Sequence, residues 1–178
     1  MLKKFKTYLP FYRNNRNNYH EKYVTIGEES FFVRQMLTSD IKELISVERI
    51  VYKGSIPWTK SAFISELYSK YTHQYLCILF EDQIIGFIGI RLKLGDGHIT
   101  NVATLPEYQG RGIGSFLIKE VEKFAKKNRC KSLSLEVRIS NRDAQRLYRQ
   151  LGFESRRILP AYYNEGNEDA VDMVKYLK

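Results

Sequence analysis

Apolar residues along this chain recur with two periods, and each change of period predicts an element. Phe31-Phe32-Val33-Arg34-Gln35-Met36-Leu37 reads as a strand. Thr38-Ser39-Asp40 is a helix N-cap cluster, after which Ile41, Leu44, Ile45 and Val47 to Val51 carry a helical apolar face. Gly54 to Pro57 breaks that helix, and Trp58-Thr59 opens a shorter one with Phe63, Ile64 and Leu67 on one side. Tyr75 to Phe80 and Ile84 to Leu92 read as strands joined by Glu81-Asp82-Gln83, short enough for a hairpin. Gly95-Asp96-Gly97 predicts a second turn and His98 to Thr104 a further strand. Phe116, Leu117, Val121, Phe124 and Ala125 predict a helix ending near Asn128. Leu133 to Val137 then reads as a strand and Asn141 to Gln150 as a helix, with Gly152 where a left-handed C-cap belongs. Phe153 to Leu159 and Ala170 to Leu177 complete the pattern as strands.

This order places hairpins at the front and helical crossovers at the back. It predicts an α/β (α+β) fold: a mixed, mostly antiparallel sheet of about seven strands with helices on both faces. One domain is expected over residues 31–178. Residues 1–30 differ from it: Lys3, Lys4, Lys6, Arg13 and Arg16 meet no acidic residue before Glu21, and asparagines interrupt any periodicity. They read as a basic N-terminal arm.

Composition narrows the classes. The length of 178 residues suits one core, and no apolar run approaches a membrane span or a signal peptide, so a cytoplasmic protein is expected. Cys77 and Cys130 have neither C-x-x-C nor zinc-ligand spacing, and no metal is expected. His20, His73 and His98 lack motif context and read as structural or exposed. The net charge of +9 favours a polyanionic partner such as a phosphorylated cofactor. A docking module for RNA or the ribosome, built on the basic arm, is the non-enzymatic alternative.

The most specific motif is Gln109-Gly110-Arg111-Gly112-Ile113-Gly114, between a strand and a helix. Glycines let main-chain N–H groups approach a ligand, and a helix N-terminus adds positive potential, which together suit a diphosphate. A P-loop is disfavoured because no lysine follows the last glycine, and Ser115 stands where a dinucleotide fingerprint wants Gly or Ala. The acetyl-CoA motif Q/R-x-x-G-x-G/A remains.

With that motif, Pro57-Trp58-Thr59, Asn101-Val102-Ala103, Pro106-Glu107-Tyr108, Leu135-Glu136-Val137-Arg138, Ser140-Asn141, Leu147-Tyr148, Leu151-Gly152-Phe153, Tyr162-Tyr163 and Glu168-Asp169-Ala170 follow in order. Together they resemble the GNAT superfamily of N-acetyltransferases, in particular the ribosomal-protein-alanine N-acetyltransferase type, over about Phe32 to Leu177. Thr104-Leu105 stands where the family usually has a valine–acid pair, and Asn164 where proline is common. The resemblance implies acetyl-CoA as cosubstrate, held by Val102, Ala103, Thr104, Gln109, Gly110, Arg111, Gly112, Ile113, Gly114, Ser115, Asn141 and Tyr148. It implies Glu136 as general base, Tyr148 as general acid, and Tyr162 and Tyr163 as acceptor-binding residues; Trp58, in the loop between the first two helices, is expected to wall the same groove.

The residues agree in part. Ser134, Glu136 and Arg138 share the polar face of a strand expected inside the sheet, which suggests a wet cleft. Asn141, Ala144, Gln145 and Tyr148 form one helical stripe. An α-amine, with a pKa near 8, is neutral to about a fifth near pH 7.4, against about a thousandth for lysine. A single carboxylate suits the easier substrate, so a protein N-terminus, of a ribosomal protein, is the expected acceptor and a small-molecule amine the alternative. No membrane or DNA partner is expected.

Overall fold

The structure, a computed structural model, describes residues 19–54 and 57–178. Among these, the elements are β1 (Lys22–Ile26), β2 (Glu29–Gln35), α1 (Ile41–Val51), α2 (Lys60–Leu67), β3 (His73–Phe80), β4 (Gln83–Lys93), β5 (Asp96–Thr104), α3 (Ile113–Lys127), β6 (Ser132–Arg138), α4 (Arg142–Gln150), β7 (Glu154–Tyr163) and β8 (Glu168–Tyr176). One sheet holds all eight strands in the order β1-β2-β3-β4-β5-β6-β8-β7. Every neighbouring pair is antiparallel except β5–β6, whose connection through α3 has the length a parallel crossover needs.

Local chemistry sets the register. The β3–β4 turn uses Glu81 and Asp82 at φ 47° and 64°, and the β4–β5 turn uses Leu94 and Gly95 at 52° and 81°. Two left-handed residues in a row match the twist of a hairpin. Asp96 and Gly97, expected in that second turn, are therefore the first residues of β5. Asp40 does not cap α1 through its side chain; its carboxylate accepts from the Leu37 N–H and from both arms of Arg34. Thr59 does cap α2, accepting from the Ala62 N–H at 3.2 Å. The core gathers Leu44 and Val47 of α1, Phe63 of α2, Leu117 and Val121 of α3, and the buried faces of β3 to β6.

The sheet has one strand more than the sequence predicts, and it begins at Lys22, inside the segment read as a basic arm. β1 is an edge strand that alternates half-buried and exposed positions, so it needs little apolar sequence. It is fastened from the side: Tyr19 and Lys22 both reach Glu120 of α3, at 2.9 and 2.8 Å. The arm's basic residues Lys3, Lys4, Lys6, Arg13 and Arg16 lie outside the described residues.

Two irregularities in the sheet create the site. First, β5 and β6 pair only from Asp96 to His98 against Ser132 to Ser134. Second, Gly89 pairs with Asn101 but Ile90 with Ile99, so Thr100 is an extra residue, a β-bulge in β5. Adjacent residues thereby reach the same side. Thr100 Oγ1 lies 2.9 Å from the Tyr75 hydroxyl, which donates to Glu66 of α2, and Asn101 Nδ2 donates to Glu48 of α1 at 2.7 Å. The Tyr75 ring occupies the space over Gly89; a Cβ there would sit 2.0 Å from Cε1.

Candidate active site

Where β5 and β6 separate, a cleft of about 590 Å³ opens between them, within the size range of small-molecule sites. Its lining runs from Gly110, Gly112, Gly114 and Ser115 past Val102, Ala103 and Thr104 to Glu136 and Tyr148, and on to Trp58 and Tyr163.

The glycine-rich end meets the requirements of a diphosphate. Gly112 is the N-cap of α3 at φ 93°, no side chain caps the helix, and its first turn carries no acidic residue. The leading N–H groups of the helix therefore have no acceptor within it and sit at its positive end. At Gly114 the space is also tight: a Cβ would lie 3.3 Å from Leu147 Cδ2, so the glycine allows α3 to approach α4. Gln109 Nε2 donates to the Thr104 carbonyl at 2.8 Å, tying the end of β5 to this loop. Asn141 caps α4, accepting from the Ala144 N–H at 3.2 Å, and lines the cleft. Arg111 and Ile113 do not line it with their side chains. Arg111 pairs with Glu29 at 3.0 Å and lies over the Tyr108 ring, while Ile113 is buried. These two can contribute only through the main chain in this arrangement.

At the fork of the strands, Glu136 Oε2 lies 3.2 Å from His98 Nε2, and Glu136 is also hydrogen-bonded to Tyr162. His98 Nδ1 lies 2.9 Å from Ser134 Oγ, which donates to Asp96. Burial raises the Tyr162 phenol, and the Glu136 carboxylate raises it further. Glu136 faces Asp172 directly across the β6–β8 ladder. Two like charges so placed repel, and Asp172 is neutralised by Arg156, which grips it with two nitrogens at 3.0 Å, and by Arg157 at 2.9 Å.

Tyr148 is buried, and burial raises its phenol well above the usual range, with the nearby Tyr52 and Tyr163 phenols adding to the shift. It therefore keeps its proton through the neutral range, as a proton donor must. Tyr52, at the end of α1, also lines the cleft and is pushed up to about 12 by burial and by Glu48. Tyr163 packs under the Arg138 guanidinium, 4.2 Å from its ring centre, and Arg138 is paired with Glu168 at 3.0 Å. Trp58 packs tilted against Phe63, and its main-chain N–H donates to Glu48 Oε2 at 3.0 Å. The buried Glu48 carboxylate, raised by burial, thus joins the α1–α2 loop to β5.

The structure brings Glu136, Tyr148, Tyr163, Trp58, Asn141 and the glycine-rich loop into one cleft, with Tyr162 touching Glu136 from β7. Sequence reasoning missed His98, Tyr52 and Glu48. Glu48 had a signal, since it falls in register with Ile41 and Leu44 on the apolar face of α1. His98 had one too: Asp96-x-His98 stands against Ser132-x-Ser134-x-Glu136, but only pairing of the two strands reveals it. Among the described residues no group of three or more His, Cys, Asp and Glu could hold a metal ion, and no helix is long and apolar enough to cross a membrane.

Residues 40–153 match the Acetyltransferase (GNAT) family. A Bacillus subtilis protein provisionally named a ribosomal protein bS18-alanine N-acetyltransferase is 36% identical over 141 residues, 79% of this chain and 92% of that one. The Haemophilus influenzae ribosomal protein bS18-alanine N-acetyltransferase is 32% identical over 148 residues, 82% of this chain and 98% of that one. Among solved structures, the ribosomal-protein-S18-alanine N-acetyltransferase from Escherichia coli superposes with a TM-score of 0.73 and 26% identity, over 83% of this chain and 94% of that one.

Proposed function

Given that the chain belongs to the GNAT acetyltransferase family, we propose that it transfers the acetyl group of acetyl-CoA to the N-terminal α-amine of a protein, in particular a ribosomal protein beginning with alanine. One observation carries the reading: a single cleft joins the glycine-rich helix start to Glu136, Tyr148 and Tyr163. The names of its relatives support the acceptor.

Acetyl-CoA, when bound, supplies an activated acetyl thioester. The N–H groups at the start of α3 are suited to its diphosphate, and Gly112 and Gly114 leave room for it. Glu136 is the proton acceptor for the incoming amine: its carboxylate is partly wet, and its Oε2 lies 3.2 Å from His98 Nε2. Tyr148 holds its proton for the departing sulfur. Tyr162, Tyr163 and Trp58 flank the acceptor's path. A polyamine acceptor would want free carboxylates beside this groove. Glu168 and Asp169 are there but already engaged, by Arg138 and the Ser140 N–H, and by the Ala161 N–H. We take the protein to act in the cytoplasm; its two free, buried thiols agree with a reducing compartment.

A panel of acceptors with acetyl-CoA tests this. Peptides with a free N-terminal alanine should turn over with a higher kcat/KM than N-blocked peptides carrying lysine, or than spermidine. Turnover confined to small amines or to lysine would reject the acceptor assignment.

A further inference from the structure

Glu136 ends a line of polar contacts that the transfer reaction does not by itself require. Asp96 accepts from Ser132 Oγ on Oδ1, at 2.6 Å, and from Ser134 Oγ on Oδ2. Ser134 has one hydrogen, and Asp96 takes it. The 2.9 Å contact between Ser134 Oγ and His98 Nδ1 must then be a hydrogen bond donated by the imidazole. With Nδ1 protonated, a neutral His98 turns the lone pair of Nε2 toward Glu136 Oε2, 3.2 Å away. Two acceptors then face each other over a distance that suits one shared proton.

We propose that Asp96, acting through Ser134, is a positioning residue that fixes the tautomer of His98, so that Glu136 and His98 accept the acceptor amine's proton as a pair. This rests on the reading of Glu136 as proton acceptor and deepens it. The proton leaves the ammonium nitrogen and is held between Glu136 Oε2 and His98 Nε2. It returns to solvent when the pair resets. The three-residue stretch where β5 and β6 still pair is what holds the line together: Asp96 stands opposite Ser132, and His98 opposite Ser134. If the strands diverged before this stretch, Asp96 and His98 would lose their serine partners.

Other charged groups also surround the pair. Tyr162 touches Glu136 from β7. Asp172 on β8 is held by Arg156 and Arg157. Arg91 on β4 stands opposite His98 but is paired with Glu66 at 2.7 Å. Arg138, further along β6, is paired with Glu168. Ser134→Ala alters none of these charges, so a change in pH dependence in that variant reports on the tautomer.

The test uses the full chain. Nitrogen-15 NMR of the imidazoles reads the tautomer of neutral His98, calorimetry reads acetyl-CoA affinity, and kcat/KM for an alanine-initiated peptide is measured from pH 6 to 9. The wild type should show His98 with its hydrogen on Nδ1. Ser134→Ala should mix the tautomers and lower kcat/KM by about 10-fold. That is less than the 10²- to 10⁴-fold attached to a proton-transferring group itself. It should also move the acidic limb of the profile and leave acetyl-CoA affinity within about twofold. Asp96→Asn should act in the same direction and stands in if Ser134→Ala lowers the melting temperature; Ser134→Thr, which keeps the hydroxyl, should restore both readouts. An unchanged His98 tautomer in Ser134→Ala and Asp96→Asn, or an unmoved pH profile, overturns the proposal. If no free N-terminus is acetylated by the wild type, the functional reading fails instead, and the NMR measurement still decides the tautomer.

Discussion

Glu136→Gln separates a proton acceptor from a surface carboxylate. The substitution keeps the side chain's size and removes its charge and its ability to bind a proton. Near pH 7.4 about a fifth of an α-amine is already neutral. If Glu136 served only to raise that fraction, its loss could cost at most about fivefold, and the deficit would vanish by pH 9. If it takes the proton as the carbon–nitrogen bond forms, the loss is the 10²- to 10⁴-fold typical of general-base catalysis, or about 2.7 to 5.4 kcal/mol of barrier. It then persists at high pH. Glu136 lies at the fork of β5 and β6 with His98 and Tyr162, away from the glycine-rich loop, so acetyl-CoA affinity should stay within about twofold. Steady-state rates on an alanine-initiated peptide from pH 6 to 9, beside calorimetry with acetyl-CoA, make the comparison. A rate within twofold of wild type at every pH, or a deficit that closes by pH 9, would refute the assignment.

Tyr148→Phe should lower kcat by about 10²- to 10⁴-fold. Because burial holds the phenol's proton above its ordinary range, the wild-type rate should show no loss attributable to Tyr148 up to pH 10; an alkaline limb near pH 9 that disappears in Tyr148→Phe would contradict this. Further along α3, burial tends to raise the Glu120 carboxyl, but Lys123, Lys22 and Tyr19 outweigh it and hold the carboxyl below its usual range. A depressed carboxyl stabilises the fold above the unfolded value, near 4.3, and that contribution is lost as pH falls through the folded value. Chemical denaturation from pH 6 to 3 should therefore show an acid loss of stability that flattens in Glu120→Gln.

Much of this architecture is legible in the sequence because it depends on local signals. The helical stripe of α4, the left-handed Gly152 after it and the glycines ahead of α3 all declare themselves within a few residues. The missed features depend on partners far away. β1 and the residues just before it contribute Lys22 and Tyr19 to Glu120, about a hundred positions on; five residues of alternating character beside an asparagine-rich stretch do not announce a strand. His98 looks like any half-buried histidine until Ser134 and Glu136 arrive from β6. Arg111 is the converse case. Its place in the motif suggests a ligand contact, yet Glu29 and the Tyr108 ring hold its side chain, because the β1–β2 hairpin packs against the same loop.

The separation of β5 from β6 leaves two strand margins facing each other inside the molecule. Margins of this kind are usually hazards, since main-chain groups without partners invite any extended chain to join them. Here residues of α3 and α4 line the gap together with those of the two strands. The sheet thus leaves a length of hydrogen-bonding capacity unused in folding. A guest with amide groups of its own can complete the missing rungs, so loading the cleft should stiffen the sheet from within.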